Sequence, residues 1–219
     1  PKFRISEQWG KPGSQDRQII EMFTSKIKGS TLAEKISSLN SFASECDEKC
    51  AAQKDVSEIL ANLVFLDSLS SIIYDFNDKS GGFLFESILA ALIGGDAEQI
   101  DTKGGRDQEV TDIVDDQGRP ISLKFFFSGA SQYVGGSYYN LARDIANAGV
   151  PMTYIVAFKN RKSSSDNSVM SIDFYEFTVG YRDIQGDFSA EQLGGAVISQ
   201  RGKFHDKGVH INLVKNKKF

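Results

Sequence analysis

Gly81-Gly82-Phe83-Leu84-Phe85-Glu86-Ser87-Ile88-Leu89, Thr111-Asp112-Ile113-Val114 and Ile121-Ser122-Leu123-Lys124-Phe125 are the three pieces of this 219-residue chain that decide how it folds. The first is nearly continuous in apolar side chains and reads as a buried helix from Phe83 to Ile93, stopped at Gly94-Gly95. The second and third read as a hairpin, Glu109 to Asp115 and Pro120 to Phe127, joined by the tight-turn sequence Asp116-Gln117-Gly118-Arg119. Each piece sets one charge among apolar neighbours: Glu86, Asp112 and Lys124. An unpaired charge is costly to bury, so the three are expected to meet in one cluster. Strand alternation puts Asp112 on the same face as Val110 and Val114.

Upstream, the chain reads as helices. Ile19, Ile20, Phe23 and Ile27 follow a helical face after the capping residues Ser14-Gln15-Asp16, and Lys28-Gly29-Ser30-Thr31 ends that helix and caps the next. Leu32, Ile36, Leu39 and Phe42 line the second helix, and a third is expected from Asp55 to Phe76, followed by a turn at Asn77-Asp78-Lys79-Ser80-Gly81-Gly82. Downstream, helix and strand alternate. Tyr138, Leu141, Ile145 and Ala148 predict a helix over Ser137 to Ala148, Pro151 to Phe158 is the strongest buried strand, and Val169 to Val179 alternates like another. Short strands are expected at Gly194–Ser199 and Gly208–Leu213, and Ser163–Ser168 reads as a polar loop. The expected division is an N-terminal arm and helical region over residues 1–80 and an α/β core over 81–219.

Composition is that of an ordinary globular protein, 40% hydrophobic and 25% charged. No apolar run approaches the roughly 20 residues that span a bilayer, and Pro1–Ser6 lacks the apolar centre of a secretion signal, so the expected setting is intracellular, with no membrane partner. The net charge of −4 is unevenly distributed: from Arg119 onward the chain holds 13 Lys and Arg against 8 Asp and Glu. Basic residues gather at Lys159–Lys162, Arg201–Lys203 and Lys215–Lys218, where they suit phosphate neutralisation or a solvated loop and tail. Cys46 and Cys50 fall in a segment that reads as helical, a geometry that disfavours a disulfide between them, and they are expected to be reduced and partly buried. His205 and His210 are not spaced as a metal pair. Trp9 anchors a polar arm that either lies over its own domain or clips onto a neighbouring subunit.

The order helix acid, strand acid, strand lysine resembles the PD-(D/E)xK nuclease superfamily over about Gly82 to Phe158. The resemblance implies a restriction endonuclease-like mixed β-sheet core flanked by helices, in the order α-β-β-β-α-β when Gln99-Ile100-Asp101 forms a short first strand. It implies catalytic roles for Glu86, Asp112 and Lys124: Asp112 bridges a metal, Lys124 positions or activates the attacking water, and Glu86 is the acid of the first core helix. The chain departs from the family at Ser122, where Asp or Glu usually stands two positions before the lysine. Some restriction enzymes of the superfamily also read Ser-x-Lys and take the missing acid from the next helix, and Asp144 is the candidate here. Glu109, Asp107 and Asp115 lie nearer in sequence, but Glu109 points to the face opposite Asp112 and Asp107 reads as loop.

The implied cofactor is Mg²⁺ or Mn²⁺, held by Glu86, Asp112 and Asp144, and the implied partner is DNA. Ser122 and, from the glycine-rich segment that follows the lysine strand, Gln132, Ser137 and Tyr138 are candidate substrate contacts. Three functions stay open on these residues: a metal-dependent DNA nuclease, a nuclease-fold protein with a structural or assembly role of phage type, and a non-catalytic DNA-binding module. Homo-oligomer or assembly contacts are expected through the N-terminal arm and helices.

Overall fold

The computed structural model describes residues 5–75, 78–100, 110–127, 138–161, 169–184 and 209–214. It is a mixed α/β fold built on a six-stranded sheet in the order β1-β2-β3-β4-β5-β6. The helices are α1 (Gln15–Thr24), α2 (Leu32–Glu45), α3 (Glu48–Ala52), α4 (Val56–Asp75), α5 (Asp78–Ile93), α6 (Tyr138–Ala148) and α7 (Tyr181–Ile184). The strands are β1 (Glu98–Gln99), β2 (Ile113–Val114), β3 (Pro120–Phe127), β4 (Met152–Arg161), β5 (Val169–Val179) and β6 (Val209–Val214). Only β3 and β4 are parallel, and their crossover contains α6; every other neighbouring pair is antiparallel.

Alternation along β3 and β4 sorts the side chains into two layers. Ile121, Leu123, Ile155 and Ala157 pack against Phe85, Ile88 and Leu89 of α5 in a core that also takes in Ile20, Ile36, Leu39 and Phe65 of the first helices. Tyr154, Val156 and Phe158 face the other way and bury Leu141 and Ile145 of α6. The sheet is therefore sandwiched between α5, backed by the N-terminal helices, and α6. Among the described residues, one apolar cluster joins Trp9 and Ile20, from before residue 80, to Ile172 and Phe174, from after it.

Local signals account for most boundaries. Ser14 and Thr31 cap α1 and α2, the latter through a reciprocal capping box with Glu34. α5 stops where Gly94 adopts φ 85°, a left-handed conformation that suits a residue without Cβ. Its start differs from expectation: Gly81 and Gly82 lie inside the helix rather than in a turn. A helix-interior glycine costs only about 1 kcal/mol relative to alanine, less than the burial of the apolar run that follows stabilises.

The cysteines depart from expectation. Cys46 and Cys50 form a disulfide with Cα atoms 5.1 Å apart. α2 ends at Glu45, Cys46 has extended backbone, and Asp47 caps the separate helix α3. The two residues do not share one helix, so the geometric objection to pairing them does not apply. Trp9 is also settled: it is 3% exposed and belongs to this chain's own core, so the arm lies over its own fold. No helix among the described residues is long and apolar enough to cross a membrane.

Candidate active site

The site forms where β2 parts from β3. Ile113 and Val114 pair with Ile121 and Pro120, and one further bond, from the Asp112 N–H to the Ile121 carbonyl at 2.9 Å, closes the ladder. Before that point the chain leaves the strand, and Asp144 on α6 holds it away. The Asp144 Oδ2 accepts from the Val110 N–H at 2.7 Å, the Thr111 N–H at 3.1 Å and the Thr111 hydroxyl at 3.1 Å. β3 is thereby left with an unmatched donor, the Leu123 N–H, which the side chain of Asp112 takes up through Oδ2 at 2.6 Å.

Around that carboxylate the motif closes. Ser122 donates its hydroxyl to the Asp112 Oδ2 at 3.1 Å, and the Lys124 ammonium lies 3.2 Å from the same oxygen. Lys124 Nζ also donates to the Ser122 Oγ at 2.9 Å and to the Leu123 carbonyl at 2.9 Å. Ser122 is wholly buried beside Tyr154, its register partner on β4, whereas the side chains of Asp112 and Lys124 keep 19% and 26% of their surface. The pair faces solvent enough to meet a ligand.

Glu86 comes from α5, in the layer on the opposite sheet face. Burial pushes its carboxyl up to about 7, and the Asp112 charge adds to the rise. A hydrogen bond from Gln99 and the charge of Lys124 oppose it. Gln99 Nε2 donates to the Glu86 Oε2 at 2.8 Å. The structure therefore brings Glu86, Asp112 and Lys124 within electrostatic reach of one another. Tyr154 feels the same field: burial, then Asp112, then Asp144 raise its phenol.

Other expected site residues fall elsewhere. Asp144 is 6% exposed and its Oδ2 is filled by three donors, so its geometry is that of an anchor for the segment before Asp112 rather than of a metal ligand. Asp115 is bound within the β2–β3 turn by the Gln117 and Arg119 N–H groups and the Arg119 guanidinium. Gln132, Ser137, Glu109 and Asp107 lie outside the described residues, as do the Arg201 and Lys215 clusters, and of Tyr138 only the backbone, at the start of α6, is described. Lys159 leaves the expected basic surface patch: it is 1% exposed, with Nζ 5.0 Å from the Phe125 ring centroid. Gln99 and Thr111 give no signal in the sequence, because a neutral amide in a short strand and a hydroxyl just before one break no apolar pattern.

Among the described residues no group of three or more His, Cys, Asp or Glu is placed to hold a metal. Two carboxylates remain. Each has one oxygen, Asp112 Oδ1 and Glu86 Oε1, that meets no donor among the described residues, whose bonds fall on Asp112 Oδ2 and Glu86 Oε2. Such a pair suits a hard divalent cation that keeps several waters and takes further oxygens from a phosphate, the usual mode for Mg²⁺. Comparisons with family models, with curated proteins and with solved structures give no match.

Proposed function

We propose that this chain is a metal-dependent nuclease that hydrolyses DNA phosphodiester bonds on a restriction endonuclease-like core. The observation that carries the reading is the convergence of Asp112 and Lys124, 3.2 Å apart, with the buried Glu86 in the field of both. The element order α5-β1-β2-β3-α6-β4 supports it, since that is the order the PD-(D/E)xK resemblance implies. Bound Mg²⁺ or Mn²⁺ supplies charge stabilisation at the phosphate and a more acidic water.

The chain's own residues do the rest. Asp112 and Glu86 offer Oδ1 and Oε1 as anionic ligands, and the crowding of two acids in a partly desolvated site is relieved when a cation joins them. Lys124, held by Ser122 and the Leu123 carbonyl, presents its ammonium beside Asp112, where it can orient the attacking water and balance charge on the phosphate. Ser122 carries a hydroxyl where the customary acid stands, so a bound cation would take one ligand fewer from protein and one more from water or substrate. The excess of basic residues beyond Arg119 suits a polyanionic partner.

Incubation of plasmid and linear DNA with the protein in Mg²⁺, Mn²⁺ or EDTA tests this directly. Cleavage is expected in the metal lanes alone, falling by about 100-fold or more in Asp112→Ala and Lys124→Ala. Absence of cutting in every lane, together with no metal uptake by calorimetry, overturns the reading. One observation favours a second function, a nuclease-fold protein with a structural or assembly role: Ser122 is fully buried and bonded to both Asp112 and Lys124, a network that ties the three side chains together without metal. In that case Asp112→Ala lowers stability and changes no reaction.

A further inference from the structure

Gln99, on β1, is 4% exposed and lies against Glu86. Its carboxamide has three partners. Nε2 donates to the Glu86 Oε2 at 2.8 Å and to the Phe83 carbonyl at 3.1 Å, and Oε1 accepts from the Ser87 hydroxyl at 2.7 Å. Reversing the amide would set Oε1 against the Phe83 carbonyl and against the Glu86 carboxylate, two acceptors facing an acceptor. The Phe83 carbonyl, which only accepts, therefore fixes which end of the amide meets Glu86, and Phe83 and Ser87 lie one turn apart on α5, to either side of Glu86 itself.

The amino-terminal arm seats Gln99 from behind. A Cβ added at Gly10 would stand 2.4 Å from the Gln99 Oε1 and 2.7 Å from its Cβ, so only glycine lets the 3-10 turn Glu7–Gly10 lie this close. The Ser87 hydroxyl also lies 3.4 Å from the Glu7 carbonyl. The arm, α5 and β1 thus converge on one amide whose outward N–H group points at a carboxylate.

We propose that Gln99 is a positioning residue for divalent-cation binding: by pinning the Glu86 Oε2 it holds Oε1 toward Asp112, with Ser87 and Gly10 keeping the amide in place. The inference rests on the nuclease reading and assigns to it a residue outside the acid–acid–lysine motif. A purely architectural Gln99, tying β1 to α5, predicts a different result, since its loss would lower stability and leave cation affinity in the folded protein unchanged.

Calorimetric titration of the full chain with Mn²⁺, beside thermal melts, separates the two. Gln99→Met keeps the volume, and Ser87 can then turn its hydroxyl to the Phe83 carbonyl 3.2 Å away, so a folded variant is expected. It should bind Mn²⁺ about 10-fold or more weakly, the usual effect of losing a hydrogen bond to a metal ligand. Ser87→Ala, which frees only Oε1, should weaken binding less than Gln99→Met does. Should Gln99→Met melt below the assay temperature, Gly10→Ala displaces the amide without changing its chemistry and should weaken binding in the same direction. A folded Gln99→Met chain that binds Mn²⁺ within about twofold of wild type overturns the role of Gln99 alone. A wild-type chain that takes up no Mn²⁺ overturns the nuclease reading and this role with it.

Discussion

Glu86 is subject to two effects that act in the same direction, a helix that buries it and a neighbouring acid that disfavours its charge, and this gives stability a pH signature. In the unfolded chain its carboxyl has an ordinary value, whereas in the fold it is pushed up to about 7, chiefly by burial. Between those two values the folded state keeps a proton that the unfolded state has lost. The contribution is fully present at acidic pH, below the unfolded value of about 4.5, and declines as pH rises toward 7, by at most about 3 kcal/mol. Glu86→Gln removes the ionisation and keeps an acceptor for Gln99. The variant should match wild type at pH 4 and exceed it in urea unfolding above pH 7, by an amount of that order. Parallel stability–pH curves for the two proteins would refute the assignment. At this scale Glu86, Asp112 and Lys124 are legible in the sequence because charge in an apolar stretch demands a partner. Gln99 is not, since its meaning lies entirely in which side chains the fold brings to either end of its amide.

Among the elements, α6 does more than cross from β3 to β4. Its Asp144 opens the fork between β2 and β3 by taking three donors from Val110 and Thr111, and the fork is what leaves the Leu123 N–H for Asp112. Asp144→Ala strands those donors in a buried place and should cost about 3 kcal/mol, read as a lower denaturant midpoint at unchanged slope. Asp144→Asn keeps an acceptor and should cost about 1 kcal/mol. An alanine variant as stable as wild type would mean that the fork needs no anchor. Periodicity and capping residues make α1, α2, α4 and α6 legible, because those signals are local. The use of Asp144 is not legible: its partners lie 33 and 34 residues away, and a sequence motif alone places it equally well at a metal. The Cys46–Cys50 pairing is hidden for a nearer reason, a helix break at Cys46 between two runs that each look helical.

Across the whole molecule, periodicity in the sequence suggests a helical region and an α/β core as separate parts, yet the apolar stripes of the helices do not reveal what they cover. They cover the sheet, and a buried arginine ties the parts together. Arg17 is fully buried on α1; its Nη1 donates to the Trp9 carbonyl at 2.7 Å and the Ala97 carbonyl at 3.1 Å, and its Nη2 to the Gly95 carbonyl at 3.2 Å. Its Nε pairs with Glu21 at 2.7 Å, so the charge is compensated within the helix. Arg17→Met leaves three carbonyls without their donor and should cost about 3–5 kcal/mol, the range for breaking a buried charged network. Because Trp9 is the one tryptophan and sits in the shared core, its fluorescence reports on the N-terminal region while far-ultraviolet ellipticity reports on all the helices and strands. The two signals should give one midpoint in wild type and move together in Arg17→Met, as a single cooperative unit requires. A tryptophan transition that precedes the loss of ellipticity would mean that the arm and α1 come away first, with the sheet and α5 holding as a unit of their own.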